Sequence, residues 1–491
     1  MTTAADAKRR WLFGPAPDLL LGCGLWYVLL FAVAFAIGDS RPFMPDFLAP
    51  LLVLLFSTPH YGATILRVYE RRAERRRYAL FSVWATFAIA VWFVAGQYHA
   101  AAGSWLLTVY LTWSPWHYTG QNYGIAVMLL GRRGVPLDPV TKRWLHFAFI
   151  SCYALVFAVI HESTGWAESR ALPIASGGIH FIAVGIPSWV ATLAAIGAAT
   201  ALIGALQRLL DRAPLRDLAP ALLLLVSQLL WFVLPALALH WRLFPDREPL
   251  GAGVQIYFLV WIAVAHAVQY LWITAYYARA TRGWGGVLPF LARTFAAGAA
   301  VWTLPAIVFA PRWLGVGGVG YEAGLALLIA AAINIHHFVL DGAIWKLRDG
   351  PIARVLIRSE AAAEGADARP PVWRRRVAWA LAGGCAMIAA FVFAAEFFLV
   401  PRAIASEDVP RAGALLDVLA LVGRDSARSR GQLAELAAEA GQFEEGTAQF
   451  ERSAALLPTP ELYASFVVRL AMHGRLEEAA SHCDELLALA P

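Results

Sequence analysis

The sequence predicts an all-α protein: a polytopic transmembrane helix bundle of about eleven helices over residues 1–402, with a helical-repeat tail over 403–491. Three observations predict it. Hydrophobic residues make up 59% of the chain and charged ones only 15%, against about 25% charged in an ordinary soluble domain. Apolar runs of about the 20 residues needed to cross hydrocarbon recur along the chain. From residue 403 onward no such run exists, and 14 acidic residues face 7 basic ones.

The runs lie near 18–37, 47–66, 79–98, 105–130, 144–160, 179–204, 219–239, 252–277, 288–310, 321–345 and 377–400. A mean hydropathy of +0.58 agrees with lipid as part of the solvent. The 20 Trp and 15 Tyr suit headgroup interfaces, which favour amphipathic rings. The net charge of +6 does not point to nucleic acid, because the basic residues sit in short connections between the runs. Alternate connections, from Lys8-Arg9-Arg10 through Arg67–Arg77 to Lys346–Arg376, hold 26 Lys or Arg. The opposite connections hold five: Arg41, Arg170, Arg242, Arg247 and Arg312. The positive-inside rule then places the amino terminus in the cytoplasm and the tail outside a bacterial inner membrane.

The first run follows a basic stretch and contains Ala34-Phe35-Ala36, so it imitates a signal peptide. It is long for one, and an uncleaved helix is expected. The four cysteines share no CxxC spacing and three lie in apolar runs, which predicts neither a disulfide framework nor a zinc site.

The tail contains a repeat. Gly441 and Gly474 are 33 residues apart, as are Pro458 and Pro491, and each glycine precedes its proline by 17. This spacing, with small residues Gly441, Ala448, Ala454, Gly474 and Ala479 expected at helix contacts, resembles the tetratricopeptide repeat. The consensus Trp and first Tyr of that family are missing. The resemblance implies helix pairs that bind a protein partner. An ordinary amphipathic helical hairpin is the alternative.

Six of the twelve histidines stand apart. His60, His117, His266, His336 and His337 fall in the middle or cytoplasmic half of four runs that cross in the same direction, and His146 starts another run near that side. Asn334, His337 and Asp341 share one helical face. Gln121 and Asn122 follow His117, and Tyr270 follows His266. A His-Tyr pair after a proline occurs twice, as Pro59-His60-Tyr61 and as Pro115-Trp116-His117-Tyr118. Ionisable side chains inside a bilayer are costly and usually face the bundle interior. Each one alone has a bland explanation as an interhelical hydrogen bond. Several imidazoles and a carboxylate at one depth suit a metal, with non-haem iron expected and zinc, copper or haem possible. The expected ligands are His60, His117, His266, His337 and Asp341, with His336 a further ligand or a supporting partner. Tyr61, Tyr118, Gln121, Asn122, Tyr270 and Asn334 are expected to support them. His99, His161, His180 and His240 lie near outer helix ends and read as structural.

At these histidines the chain distantly resembles the histidine-rich membrane oxygenases: fatty-acid desaturases and hydroxylases, and bacterial β-carotene oxygenases. It lacks the HxxxH and HxxHH boxes, so no residue role carries over. The resemblance implies a metal-dependent oxidoreductase acting on a lipid-soluble substrate. The alternatives are a histidine-based proton-coupled transporter, a bis-histidine haem protein, a scaffold, and a membrane glycosyltransferase using Asp39 or Asp46.

Overall fold

The computed structural model describes residues 10–38, 45–70, 76–162, 178–247, 250, 260–281, 284–310, 313–345, 350–358 and 371–489. Among them the chain is helical, with no β-strand beyond one isolated bridge between Glu162 and Ile186. Every apolar run contains a helix. These are α1 (Leu25–Ile37), α2 (Leu48–Tyr69), α3 (Leu80–Tyr98), α4 (Ala100–Arg132), α5 (Pro139–Ile160), α6 (Ser188–Leu210), α7 (Leu215–Trp241), α8 (Ile262–Thr281), α9 (Val287–Val308), α10 (Tyr321–Ile344) and α11 (Val372–Ala405).

Eight of these are long and apolar enough to cross a membrane: α2, α3, α5, α6, α7, α9, α10 and α11. Segment Pro15–Gly22 and α1 make a ninth if counted as one span bent by 60°. The sequence count of eleven also includes α4 and α8, which are not apolar enough. The reason is what they bury. α4 turns Ser104, Thr108, Ser114, Thr119 and Asn122 inward, and α8 does so with His266, Gln269 and Thr274. Inward polar groups lower a helix's hydropathy without meeting lipid.

Prolines shape the bundle in a repeated way. Pro59, Pro235 and Pro401 each follow a wide π-turn: Val53–Ser57, Leu229–Val233 and Ala395–Leu399. Proline has no N–H and its ring collides with the carbonyl four residues earlier. Widening the preceding turn lets the helix continue through it. In α2 this turn ends three residues before His60.

The helices carrying the histidines are tied to their neighbours at close range. α2 and α9 touch backbone to backbone at Gly62 and Gly298. Buried Asp18 accepts bonds from Trp272 Nε1 on α8 (2.9 Å) and from the backbone N–H of Leu12 (2.6 Å). Asp138 caps α5, accepting from the N–H of Val140 (2.8 Å) and Thr141 (3.0 Å). Bonds from the Thr141 backbone and hydroxyl chiefly hold its carboxyl down at about 2. That capping contribution is complete above the ordinary value of 3.8 and is lost as the pH falls through about 2.

The tail comprises α12 (Val409–Leu421), α13 (Ala427–Glu439), α14 (Phe443–Leu456), α15 (Pro460–Met472) and α16 (Leu476–Leu489). Gly441 turns α13 into α14 and Gly474 turns α15 into α16, at φ of +74° and +76°. The sequence predicts turns near both glycines, as found, and also places them in helix contacts. They are instead exposed turn residues, because only a residue without Cβ adopts that backbone cheaply. The close approach falls at Gly446, where a Cβ would stand 3.1 Å from the Ala434 carbonyl oxygen. Gly446→Leu is therefore expected to force α13 and α14 apart, at about 1–3 kcal/mol. Gly441→Trp has open space and strains only its own backbone, at about 1–2 kcal/mol. Limited proteolysis of the purified protein should cut the Gly446→Leu tail faster.

The tail is also less separate than a boundary at residue 402 implies. That boundary falls inside α11. Val392, Ala395 and Val400 of α11 share a core with Leu416 of α12 and Leu433 of α13. Arg424, between α12 and α13, grips Glu396 through two bonds of 3.0 and 2.8 Å and reaches Tyr321 of α10 at 2.5 Å.

Candidate metal centre

α2, α4, α8 and α10 each bring one histidine to a common point. His60, His266, His117 and His337 form a closed loop of imidazoles. Successive ring centroids are 4.8, 4.9, 5.0 and 4.3 Å apart, and the His266–His337 diagonal is 6.4 Å. All four are buried or nearly so. Asp341, one turn beyond His337, places Oδ2 3.4 Å from His337 Nε2 and 3.9 Å from His117 Nε2.

Two sets of potential ligand atoms arise. One is His60, His266 and His337; the other is His117, His337 and Asp341. Within each set the atoms lie within 4.8 Å of one another, and His337 belongs to both. Atoms bound to one ion at about 2.0–2.1 Å are at most about 4.2 Å apart. Each set is therefore a small side-chain movement from closing on an ion.

The hydrogen bonding tests the fit from the other side. Both ring nitrogens of His266, Nδ1 of His60 and Nε2 of His117 are buried without a hydrogen-bond partner. Buried polar atoms are normally satisfied, and each exception calls for a reason. Neutral imidazole nitrogens converging on one point have the chemistry of a metal donor set. His60 Nε2 and His337 Nε2 approach to 2.6 Å, which in the absence of an ion is an N–H···N bond.

The surrounding residues fix this arrangement. Thr64 Oγ1 lies 3.0 Å from His337 Nδ1, 2.6 Å from the Tyr270 hydroxyl and 3.1 Å from Asp341 Oδ1. The Tyr270 hydroxyl donates to Asp341 Oδ1 at 2.7 Å and accepts from Trp345 Nε1 at 3.1 Å. The Tyr270 ring stacks on His60 with centroids 4.4 Å apart. Phe338 stacks on His117 at 4.4 Å. The two His-Tyr pairs work across helices: Tyr118 stacks on His266 at 4.2 Å, and Tyr61 meets His337 edge-on at 5.3 Å. Tyr61 donates to Asn334 Oδ1 at 2.5 Å. Gln121 donates to the His266 carbonyl at 3.2 Å and to Gln269 Oε1 at 3.1 Å.

Two residues expected here lie elsewhere. His336 faces α3, with Nε2 2.9 Å from Thr86 Oγ1 and 3.2 Å from the Tyr69 hydroxyl. It neighbours His337 in sequence, and adjacent helical residues point about 100° apart. Asn122 faces α7, donating to Gln228 Oε1 at 2.9 Å. His146 packs on Tyr123, at 4.9 Å. His161 bonds to Thr112 at 2.9 Å, and His240 pairs with Glu162 at 3.0 Å, both outside the cluster. Asp39 lies outside the described residues, and Asp46 is exposed, away from the histidines.

Sequence reasoning missed Thr64, Phe338 and Trp345; Gln269 is read there as a polar neighbour of His266, and it accepts from Gln121. Thr64 had a signal: it lies four residues after His60, one turn along the same face. No protein-family model, curated protein or solved structure matches the chain.

Proposed function

We propose that this chain is an integral membrane metal-dependent oxidoreductase, with non-haem iron as its metal, acting on a lipid-soluble substrate. The observation that carries the proposal is His266, buried with two unpartnered ring nitrogens among three other imidazoles and a carboxylate. Mixed imidazole and carboxylate donors suit iron, and zinc and copper are the competitors. Bound iron would supply redox chemistry toward dioxygen. The chain does the rest. His60, His117, His266, His337 and Asp341 hold the ion. Thr64 and Tyr270 fix the orientation of His337 and Asp341. Tyr118 and Phe338 cover the rings and exclude water. Elemental analysis of protein purified without added metal tests this: about one or two iron atoms per chain are expected, since His337 joins two ligand sets. Protein free of iron, zinc and copper, with an intact fold, would sink the reading.

The short contact between His60 and His337 favours a second reading, a proton relay in a transporter. Metal-free protein that moves protons in sealed vesicles would select it. Haem would announce itself as a strong blue absorption band.

Eleven crossings remain our proposal for topology, with α4 and α8 crossing with their polar faces turned inward. The basic connections are then cytoplasmic, and the repeat tail meets its protein partner outside. A reporter fluorescent only in the cytoplasm, fused after Pro491, should stay dark. Bright, inserted fusions would refute the odd count.

A further inference from the structure

Beside the imidazole loop lies a cavity of about 310 Å³, bounded by α4, α8, α10 and the short helical segment Gly350–Leu356. Ligand cavities run from about 300 to 1,000 Å³, so this one suits something slender. Its walls are one face of each helix. His117, Gly120, Gly124 and Met128 of α4 line it at spacings of three and four residues, and Asp341, Gly342 and Trp345 do so from the α10 side.

Three glycines line it or stand beside it. A Cβ added at Gly120, Gly124 or Gly342 would meet nothing within 4 Å. Gly62 and Gly298 are small because two backbones touch there; these three have no such reason. Glycine weakens a helix interior relative to alanine. What the missing side chains create is an opening. Gly120 and Gly342 are exposed, while His117 and Asp341, within one turn of them, form the inner wall. The two exposed glycines thus flank an opening between α4 and α10, beside His117 and Asp341.

We propose that Gly120 and Gly342 are the two lips of a lateral portal through which an unbranched hydrocarbon chain of a lipid enters from the bilayer and lies against His117 and Asp341. The proposal rests on the histidine cluster being the reacting centre. With α4 and α10 crossing the bilayer as proposed, an opening between them faces hydrocarbon, and a ligand that enters there is an apolar molecule. Apart from the His117–Asp341 wall and Gln121, the cavity is lined by aliphatic and aromatic groups such as Ile125, Phe338 and Trp113, which offer a chain no charged partner. The lining face of α4 from Trp113 to Met128 is about 22 Å long, enough to lay a long chain alongside it.

Photocrosslinking tests this. Membranes containing the protein are loaded with a 16-carbon fatty acid bearing a mid-chain diazirine and irradiated, and the labelled peptides are identified by mass spectrometry. Enriched labelling is expected on the α4 and α10 peptides that line the cavity, relative to lipid-facing α11. Gly120→Leu and Gly342→Leu should each lower that labelling at least tenfold. Leucine is the better helix former and finds free space, so both variants should fold and leave α11 labelling unchanged. Gly383→Leu on α11, equally open but far from the cavity, should change nothing. Cavity labelling no higher than α11 labelling, or labelling that survives both lip variants, overturns the proposal. Bound metal is measured on the same samples. A metal-free wild type that is still labelled at the cavity, with loss in the lip variants, defeats the oxidoreductase reading and keeps the portal.

Discussion

His337→Ala should release the metal, lowering affinity roughly 100-fold or more. Loss of a partner that merely orients a ligand typically costs about 10–100-fold, and His337 belongs to both potential ligand sets. Thr64→Val supplies the smaller step, because it removes the hydroxyl that meets His337, Tyr270 and Asp341 while keeping the side chain's shape. A loss of about 10–100-fold is expected for it. His336→Ala should leave affinity nearly unchanged, since His336 bonds to Thr86 and Tyr69 instead. Competition with a chelator of known strength ranks the three. Equal losses for His336→Ala and His337→Ala would mean that the loop of four imidazoles does not hold the ion.

The largest expected loss of stability comes from the contact between α2 and α9. A Cβ on Gly62 would stand 1.7 Å from the Thr294 carbonyl oxygen, and one on Gly298 1.8 Å from that of Thr58. Both obstacles are backbone, so no rotamer change relieves them and the helices must separate. Gly62→Ala or Gly298→Ala should cost about 3 kcal/mol, the upper end for overpacking. Separation also displaces His60, two residues before Gly62, so metal affinity should fall with stability. Gly197→Ala on α6 is the control: it has open space, and alanine there should be neutral or slightly stabilising. Thermal unfolding in detergent reads all three. A Gly62→Ala protein as stable as the parent would show that this contact is looser than its geometry.

Depth was the part of the site legible in the sequence. The cost of polar groups in lipid singled out His60, His117, His266, His337 and Asp341, and the direction of successive crossings put them at one level. Rotation about each helix axis was less legible. Asn122 follows His117 closely in sequence yet turns to α7, and His336 turns to α3, because neighbours in sequence diverge around a helix. Thr64 was overlooked because a threonine in an apolar run carries no burial cost large enough to demand a partner. The cavity was invisible for a different reason. Glycine in a membrane helix reads equally as close packing or as empty space, and only the neighbouring helix distinguishes Gly62 from Gly120. In the tail the turns at Gly441 and Gly474 were legible, but the close contact was not: Gly446, not Gly441, lets the helices meet.

α11 has 34 residues and is therefore about 50 Å long, well beyond the roughly 30 Å of hydrocarbon it would cross. Arg374, Arg375 and Arg376 mark its start, and Glu396, clasped by Arg424, lies about 33 Å further along. The helix is thus a ruler with a stop on it. In the proposed topology the basic end lies at one interface and the clasp at the other, and the turns around the clasp, packed against α12 and α13, hold the tail helices beside that second interface. On the proposed reading, a protein partner docked on those tail helices would be held at one height and one heading. If it is itself membrane-bound, its tether must be cut to the same measure.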